Sequence, residues 1–361
     1  MRVLMIGQKG IPATYGGIER HVEELARRLA LRGVRCGVYC RPHYTPAAAS
    51  VPDVDLLRRP SINTKHLDAI SHAFACTADS MFARADVVHY HALGPSALAW
   101  LPRMAGKRVV VTVHGLDWQR DKWGPLARTF LHACEFSATR FPHATIVVSR
   151  TLERYFHSQG RERIHYIPNG TPIPPPASPA PLADLGLEPG RYVLFVGRLV
   201  PEKGLDLLLR AHASAVPDWP LAVVGAGHFT DDYVERCRRL AAPSARFLEG
   251  RYGEELAALQ QHAAVVVVPS LLEGLSIALL EAMSYGRPVL ASDIPENLEV
   301  LADAGVSFRN QDPEDLGLRL RELLASADRR ADLGARARAR IAAEYDWDRV
   351  AESTFELYRR L

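Results

Sequence analysis

Several things are missing from this sequence, and each absence narrows what it encodes. No stretch approaches the roughly 20 consecutive apolar residues that cross a bilayer, so no membrane span is expected. The opening Met1-Arg2-Val3-Leu4-Met5-Ile6-Gly7 is too short for the apolar core and cleavage site of a secretory leader, and reads better as a buried first strand. Cysteine is scarce and scattered: Cys36, Cys40, Cys76, Cys134 and Cys237 are odd in number and form no CxxC pair. Neither a disulfide framework nor a zinc site is expected, and a reducing cytoplasm is the expected compartment. An excess of one charge is lacking too, since 44 Lys and Arg balance 41 Asp and Glu to a net +3. That is too even for a protein dominated by nucleic-acid binding. The first loop has no G-x-G-x-x-G, and no acidic residue clearly ends the second predicted strand, which lowers a dinucleotide-dependent dehydrogenase. Solenoid-type repeats are absent as well.

What remains is an ordinary globular composition, 48% hydrophobic and 24% charged, over 361 residues. Single cores rarely grow past about 250–300 residues, so two domains are expected. Short β-branched runs alternate with amphipathic stretches, the pattern of parallel α/β sheets. The strands predicted in the first half are 2–7, 34–40, 86–91, 108–114, 144–149 and 163–168. A first helix is predicted over 17–32, with Val22, Leu25, Ala26 and Leu29 on one face. Composition then breaks: six of the ten residues from 172 to 181 are proline, too stiff and donor-poor for an element interior. The pattern restarts with strands at 192–196, 221–225, 245–248, 265–269, 288–292 and 305–308. The expected architecture is therefore α/β: a Rossmann-like domain over 1–171, a Pro-rich linker over 172–190, and a second Rossmann-like domain over 191–345. A terminal helix is expected over 346–361, with Trp347, Val350, Ala351, Phe355 and Tyr358 as its apolar side. In open parallel sheets, ligands bind beyond the carboxyl ends of the strands.

The strongest local signal is Pro269-Ser270-Leu271-Leu272-Glu273-Gly274-Leu275-Ser276-Ile277-Ala278-Leu279-Leu280-Glu281. A strand should end at Pro269, Gly274 should permit a turn, and a helix should begin near Leu275. Unpaired N–H groups at such a start form an anion or hydroxyl site. Two glutamates eight residues apart mean little alone; the strand–Glu-Gly–helix context raises the signal.

This stretch resembles the E-x7-E motif of retaining family-four glycosyltransferases of the GT-B fold. The resemblance extends over nearly the whole chain through Gly7-Gln8-Lys9-Gly10-Ile11-Pro12-Ala13-Thr14-Tyr15-Gly16-Gly17, His114-Gly115, Pro168-Asn169-Gly170, Val196-Gly197-Arg198-Leu199 and Glu202-Lys203-Gly204. The first loop and the run from His114 to Arg120 resemble a bacterial branch associated with rhamnosyl or other surface-polysaccharide transfer. The resemblance implies two Rossmann-like domains facing a central cleft, with the terminal helix over 346–361 crossing back to the first domain. It also implies that a hexose leaves a nucleoside diphosphate sugar for an acceptor hydroxyl with its anomeric configuration kept.

Carried over residue by residue, Glu273 matches the glutamate on donor-sugar hydroxyls and Glu281 the one on the ribose diol. Arg198 and Lys203 match the basic pair on the diphosphate, Gly16 and Gly17 the glycine turn near the phosphates, and His114 the histidine beside the sugar. Gly197, Gly274, Leu275, Ser276 and Asn169 complete the expected donor site. The chemistry agrees, because a leaving diphosphate develops negative charge that Arg198 and Lys203 can stabilise without giving up a proton. No cofactor and no metal are then implied. No Asp-x-Asp pair stands in a cleft loop, which lowers a metal-dependent GT-A transferase.

Blander readings stand beside these. Glu281 can be a solvated helix glutamate, Arg198 and Lys203 surface pairs worth roughly 0–1 kcal/mol, and Glu19 a residue offsetting the helix dipole. Asn169-Gly170 can be only a turn. Trp118 and Trp123 flank Gln119-Arg120-Asp121-Lys122, where they can stack on a sugar acceptor, dip into a membrane interface, or anchor the loop. Arg27, Arg28, Arg32, Arg35, Arg58 and Arg59, like Arg336, Arg338 and Arg340, can form a patch for anionic lipid or a solvated face. The partners implied are a nucleotide-sugar donor and a saccharide or lipid-linked saccharide acceptor. Peripheral contact at the inner face of the membrane is an added option. The rival readings are a GT-B nucleotide-sugar epimerase or phosphorylase and a non-catalytic nucleotide-sugar-binding protein.

Overall fold

The structure is a computed structural model, and it describes the whole chain except residues 15, 65–66, 121–122 and 228–229. The chain divides into two compact units, Met1–Gly170 together with Trp347–Leu361, and Thr171–Asp346.

The first unit holds a seven-stranded parallel sheet of β1 (Arg2–Ile6), β2 (Arg35–Cys40), β3 (Val54–Arg58), β4 (Val87–His91), β5 (Arg108–Val113), β6 (Ala144–Val147) and β7 (Ile164–Tyr166). Their spatial order is β3-β2-β1-β4-β5-β6-β7. Helices α1 (Gly17–Leu31), α2 (Asp68–Phe82), α3 (Trp100–Met104) and α4 (Pro125–Arg140) connect successive strands. The predicted apolar face of α1, Val22, Leu25, Ala26 and Leu29, lies in the core. β3 was not expected from the sequence. Its residues Val-Asp-Leu-Leu-Arg neither alternate cleanly nor form an apolar run, because it is an edge strand and only its first residue is buried. The C-terminal helix Trp347–Arg360 belongs to this unit and buries Trp347, Val350, Ala351, Leu357 and Tyr358 in its core.

The second unit holds β8 (Val193–Val196), β9 (Leu221–Val224), β10 (Ala245–Phe247), β11 (Val265–Val268), β12 (Val289–Ser292) and β13 (Val306–Phe308). They run parallel in the order β10-β9-β8-β11-β12-β13. Val265-Val266-Val267-Val268 is buried along its whole length, as a central strand covered on both faces must be. The proline-rich segment expected as a linker lies along this unit. Gln261 accepts from the Ala177 N–H at 2.7 Å, His262 bonds the Ala177 carbonyl, and a short helix forms at Pro181–Asp184.

Candidate functional site

In the second unit the loops after β8 and β11 are fastened together. After β8, Gly197 leads to Arg198 and a 3-10 turn at Pro201–Lys203, which ends at Gly204 with φ +65°. A Cβ at Gly204 would stand 2.1 Å from the Pro269 carbonyl oxygen, so only glycine fits this close crossing over the end of β11. The Leu271 N–H donates to the Glu202 carbonyl at 2.9 Å and locks the register of the two loops. That register brings Lys203 and Glu273 into direct contact: Nζ donates to Oε1 at 2.5 Å, with both side chains more than four-fifths buried. Two residues expected to grip different parts of a ligand are therefore each other's partner. Arg198 is exposed and pairs with no carboxylate among the described residues.

The helix carrying the second glutamate runs Ile277–Ser284, starting two residues later than predicted. Ser276 is its N-cap, the Oγ accepting from the Leu279 N–H at 3.4 Å, and is 1% exposed. Its oxygen caps the helix, a role not expected from the sequence. Leu275 is buried, Gly274 and Glu281 are half-buried, and Glu281 sits about one turn into the helix. The Gly197 N–H is already bonded to the Val224 carbonyl at 3.0 Å. Two residues that the sequence did not single out hold the base of the loop. Ser292 Oγ donates to the Ser270 carbonyl, and Asn297 Nδ2 donates to Ser292 Oγ.

In the first unit the loop before α1 is held by a residue that had been left aside. Gly16 is the N-cap of α1 at φ +104°, and a Cβ there would stand 2.0 Å from Glu19 Oε2. The Glu19 carboxylate, 7% exposed, accepts from the Lys9 N–H at 2.9 Å, and Glu23 accepts from the Ala13 N–H at 2.8 Å. Glu19 therefore pins the glycine turn instead of merely facing a helix dipole. Gly17 opens the helix, while Tyr15 of the same motif lies outside the described residues.

His114, just past β5, stands in a group of buried imidazoles. Its Nε2 lies 3.2 Å from Nδ1 of His91, the last residue of β4. The His21 ring meets it edge-on at 4.7 Å and bonds Asn169 Oδ1 through Nδ1 at 2.9 Å. Behind them, His89 bonds Thr112 and the Tyr358 hydroxyl, and Trp347 packs edge-on against His21. Burial pushes these imidazoles down: His21 to about 4, His89 to about 3, His91 and His114 well below the ordinary value. His21, His91 and His114 each offer a ring nitrogen within 4.8 Å of the others, the one group of this kind among the described residues that could hold a metal ion. His114 and Asn169 were expected from their motifs, whereas His21, His89 and His91 were not; the His-x-His of β4 was the available signal.

Trp118 is a loop anchor. Its Nε1 donates to Glu135 at 2.6 Å, and its ring lies 4.5 Å from that of His132. Trp123 is half-buried, and Asp121 and Lys122 between the two lie outside the described residues. The arginine patch is largely paired off: Arg28 with Glu24 and Asp348, Arg32 with Glu352, Arg59 with Asp79, and Arg58 with backbone carbonyls. Arg336 and Arg340 pair with Asp332 and Glu344, and Arg338 with the Ser284 carbonyl. No helix among the described residues is long and apolar enough to cross a membrane.

Residues 183–340 match the family model described as glycosyl transferases group 1, and residues 15–173 match glycosyltransferase family 4. The chain is 29% identical to the alpha-maltose-1-phosphate synthase of Mycolicibacterium smegmatis, with both chains fully covered. It is 28% identical to the D-inositol 3-phosphate glycosyltransferase of Nocardia farcinica over 95% of this chain and 84% of the other. Among solved structures, sucrose-phosphate synthase from Thermosynechococcus elongatus superposes with a TM-score of 0.88 at 22% identity, covering 99% and 98% of the two chains. The Anabaena HepE protein in complex with UDP and glucose gives 0.83 at 19% identity with full coverage of both.

Proposed function

Because the chain belongs to the family-four glycosyltransferases of the GT-B fold, we propose that it moves a hexose from a nucleoside diphosphate sugar to an acceptor hydroxyl. Configuration is retained, no metal is needed, and the acceptor is a saccharide or lipid-linked saccharide of a bacterial polysaccharide or glycoconjugate. The Lys203–Glu273 pair at the carboxyl ends of β8 and β11, beside an exposed Arg198, is the observation that supports it most. Donor binding re-partners that pair. The diphosphate draws the Lys203 ammonium, while Glu273 turns to accept hydrogen bonds from the sugar. Arg198 and Lys203 then hold the negative charge that grows on the leaving oxygen as the anomeric C–O bond breaks. The acceptor hydroxyl attacks from the same face, and its proton passes to a diphosphate oxygen, so no protein nucleophile is required. Glu281 holds the ribose diol, and the neutral imidazole of His114 is the first unit's candidate group for the donor sugar.

A thermal-shift panel of UDP, GDP, dTDP and their hexoses identifies the nucleotide, since a ligand binding only the folded state raises its stability. NMR of the product made from the stabilising donor then reads the anomeric centre. Retained configuration in an acceptor-linked glycoside is the expected result. An inverted linkage, or a free epimer formed without acceptor, overturns the reading.

A further inference from the structure

Most of the large exposed apolar side chains of the first unit lie on α2, α3 and α4, with Leu31 of α1 apart from them, and no role in sugar transfer draws on them. The exposed positions of α2 are Ala69, Ile70, Phe74, Ala78 and Phe82, every one apolar and spaced to share a face. Phe74 is 63% exposed and Phe82 88%. On α3 and α4, Met104 is 77% and Leu126 89% exposed, and Phe130 is exposed too. The three helices adjoin: α2 touches α3, the 3-10 turn Pro95–Leu98 touches both α2 and α4, and Lys107 after α3 donates to the Ala83 carbonyl after α2. Arg103 of α3 reaches the Phe141 carbonyl after α4, and with Trp100 and Met104 lines an apolar hollow opening there. Monomers rarely expose so much contiguous apolar surface without a use for it.

Charge tells what covers it. Arg84, Arg103, Lys107, Arg128 and Arg140 lie on or beside these helices, and none pairs with a carboxylate among the described residues. The carboxylates of the three helices, Asp68, Asp79 and Glu135, are turned inward onto Arg41, Arg59 and Trp118. An apolar face with aromatic residues, edged by cations that outnumber its carboxylates, with exposed Asp86 beside α2 among the latter, complements an anionic lipid surface. We propose that α2, α3 and α4 form a docking face for an anionic bilayer. The proposal does not rest on the glycosyl-transfer reading, and it replaces the paired arginine patch and the anchored Trp118 as the place of membrane contact.

The test is co-sedimentation of the full chain with vesicles of phosphatidylcholine and phosphatidylglycerol in equal parts, against vesicles of phosphatidylcholine alone. Binding to the anionic vesicles, weakened by salt, is expected. Phe74→Ser with Phe82→Ser should lower the partition at least about tenfold, and Arg128→Glu with Arg140→Glu at least about fivefold per residue. Both double variants change exposed side chains and should keep the parent melting temperature. No binding to anionic vesicles overturns the proposal, as does binding that both double variants leave unchanged. Light scattering without lipid covers the other occupant. A dimer that Phe74→Ser with Phe82→Ser converts to monomers marks the face as a self-interface and overturns the lipid assignment.

Discussion

The two units are built on one strand order and hold opposite kinds of chemistry at the carboxyl ends of their strands. Starting from an edge, each sheet runs third, second, first, fourth, fifth, sixth, and the first unit adds a seventh strand. Beyond β4 and β5 the first unit gathers His21, His91 and His114, all neutral, all desolvated, and bonded to one another or to Asn169. Beyond β8 and β11 the second unit gathers full charges, Arg198, Lys203, Glu273 and Glu281, none of them fully buried. A buried group that cannot shed its charge must be paired, whereas an imidazole can simply stay neutral. The same fold thus offers a low-charge wall in one unit and an ion-handling loop pair in the other.

The largest effect that would sharpen this contrast is acid sensitivity. In the folded chain burial pushes His21 down to about 4 and His89 down to about 3, and it holds His91 and His114 well below the ordinary value as well. The unfolded chain takes up these protons near 6.5. Between the two values the unfolded state binds more protons, so the stability these groups give is present above about 6.5 and is lost as pH falls toward the folded values. For His21 alone the 6.5-to-4 shift corresponds to about 3 kcal/mol. In the second unit, His212 is the only described histidine lowered in this way. Hydrogen exchange at about pH 4.5 should therefore show β4, β5 and α1 losing protection before β8 and β11. The reverse order would mean that the imidazoles are not the acid-labile part.

The contrast also explains what could be read in advance. Twelve of the thirteen strands were legible because parallel strands covered on both faces are apolar runs bounded by turn residues, as in Val265–Val268. The exception, β3, is a mixed edge strand. The charged site was legible because its residues fall in two short contiguous motifs, Gly197 to Gly204 and Glu273 to Glu281. What the motifs did not carry was the Lys203–Glu273 contact, which depends on the Glu202–Leu271 backbone bond between distant segments. The imidazole group was legible only at His114, because its histidines are split among α1, β4 and the loop after β5. A lone histidine in any one of these looks like an ordinary core residue. The cap role of Ser276 was not legible as distinct from a ligand contact, because both require the same residue type at a helix start.

Within the charged unit, the two glutamates should separate by what they hold. Glu281→Ala should weaken free nucleoside diphosphate binding by about 1.5–3 kcal/mol, the loss of a charge-assisted bond made in ground and transition states alike. Glu273→Ala should not weaken it. Removing that carboxylate releases Lys203 from its partner, so affinity for the diphosphate should hold or rise while turnover falls. Calorimetry with the free nucleotide, beside initial rates, separates the two. If Glu273→Ala loses nucleotide affinity and Glu281→Ala does not, the roles are reversed. If neither moves binding or rate, the charged loops are not the donor site.

The smallest expected effect is none at all, and it addresses the contrast at its root. If Arg198 and Lys203 supply the positive charge for the departing diphosphate, then turnover should survive EDTA, because nothing in that account needs a divalent ion. The neutral imidazoles make the measurement worth refining. His21 bonds Asn169 Oδ1 through Nδ1, and His21, His91 and His114 each offer a ring nitrogen within 4.8 Å of the others. Neutral imidazole is the form that binds transition metals, and a second hydrogen bond fixing the tautomer is the usual support of a metal-bound histidine. EDTA treatment should therefore be followed by readdition of magnesium and of zinc in separate arms. Activity lost to EDTA and restored by magnesium would show that the diphosphate needs an ion the two basic residues do not replace. Loss restored by zinc alone, and abolished in His91→Ala, would turn the low-charge wall of the first unit into a metal site and erase the division between the units. Unchanged rates in every arm leave that division standing, with charge handled in the second unit and the first kept neutral by burial.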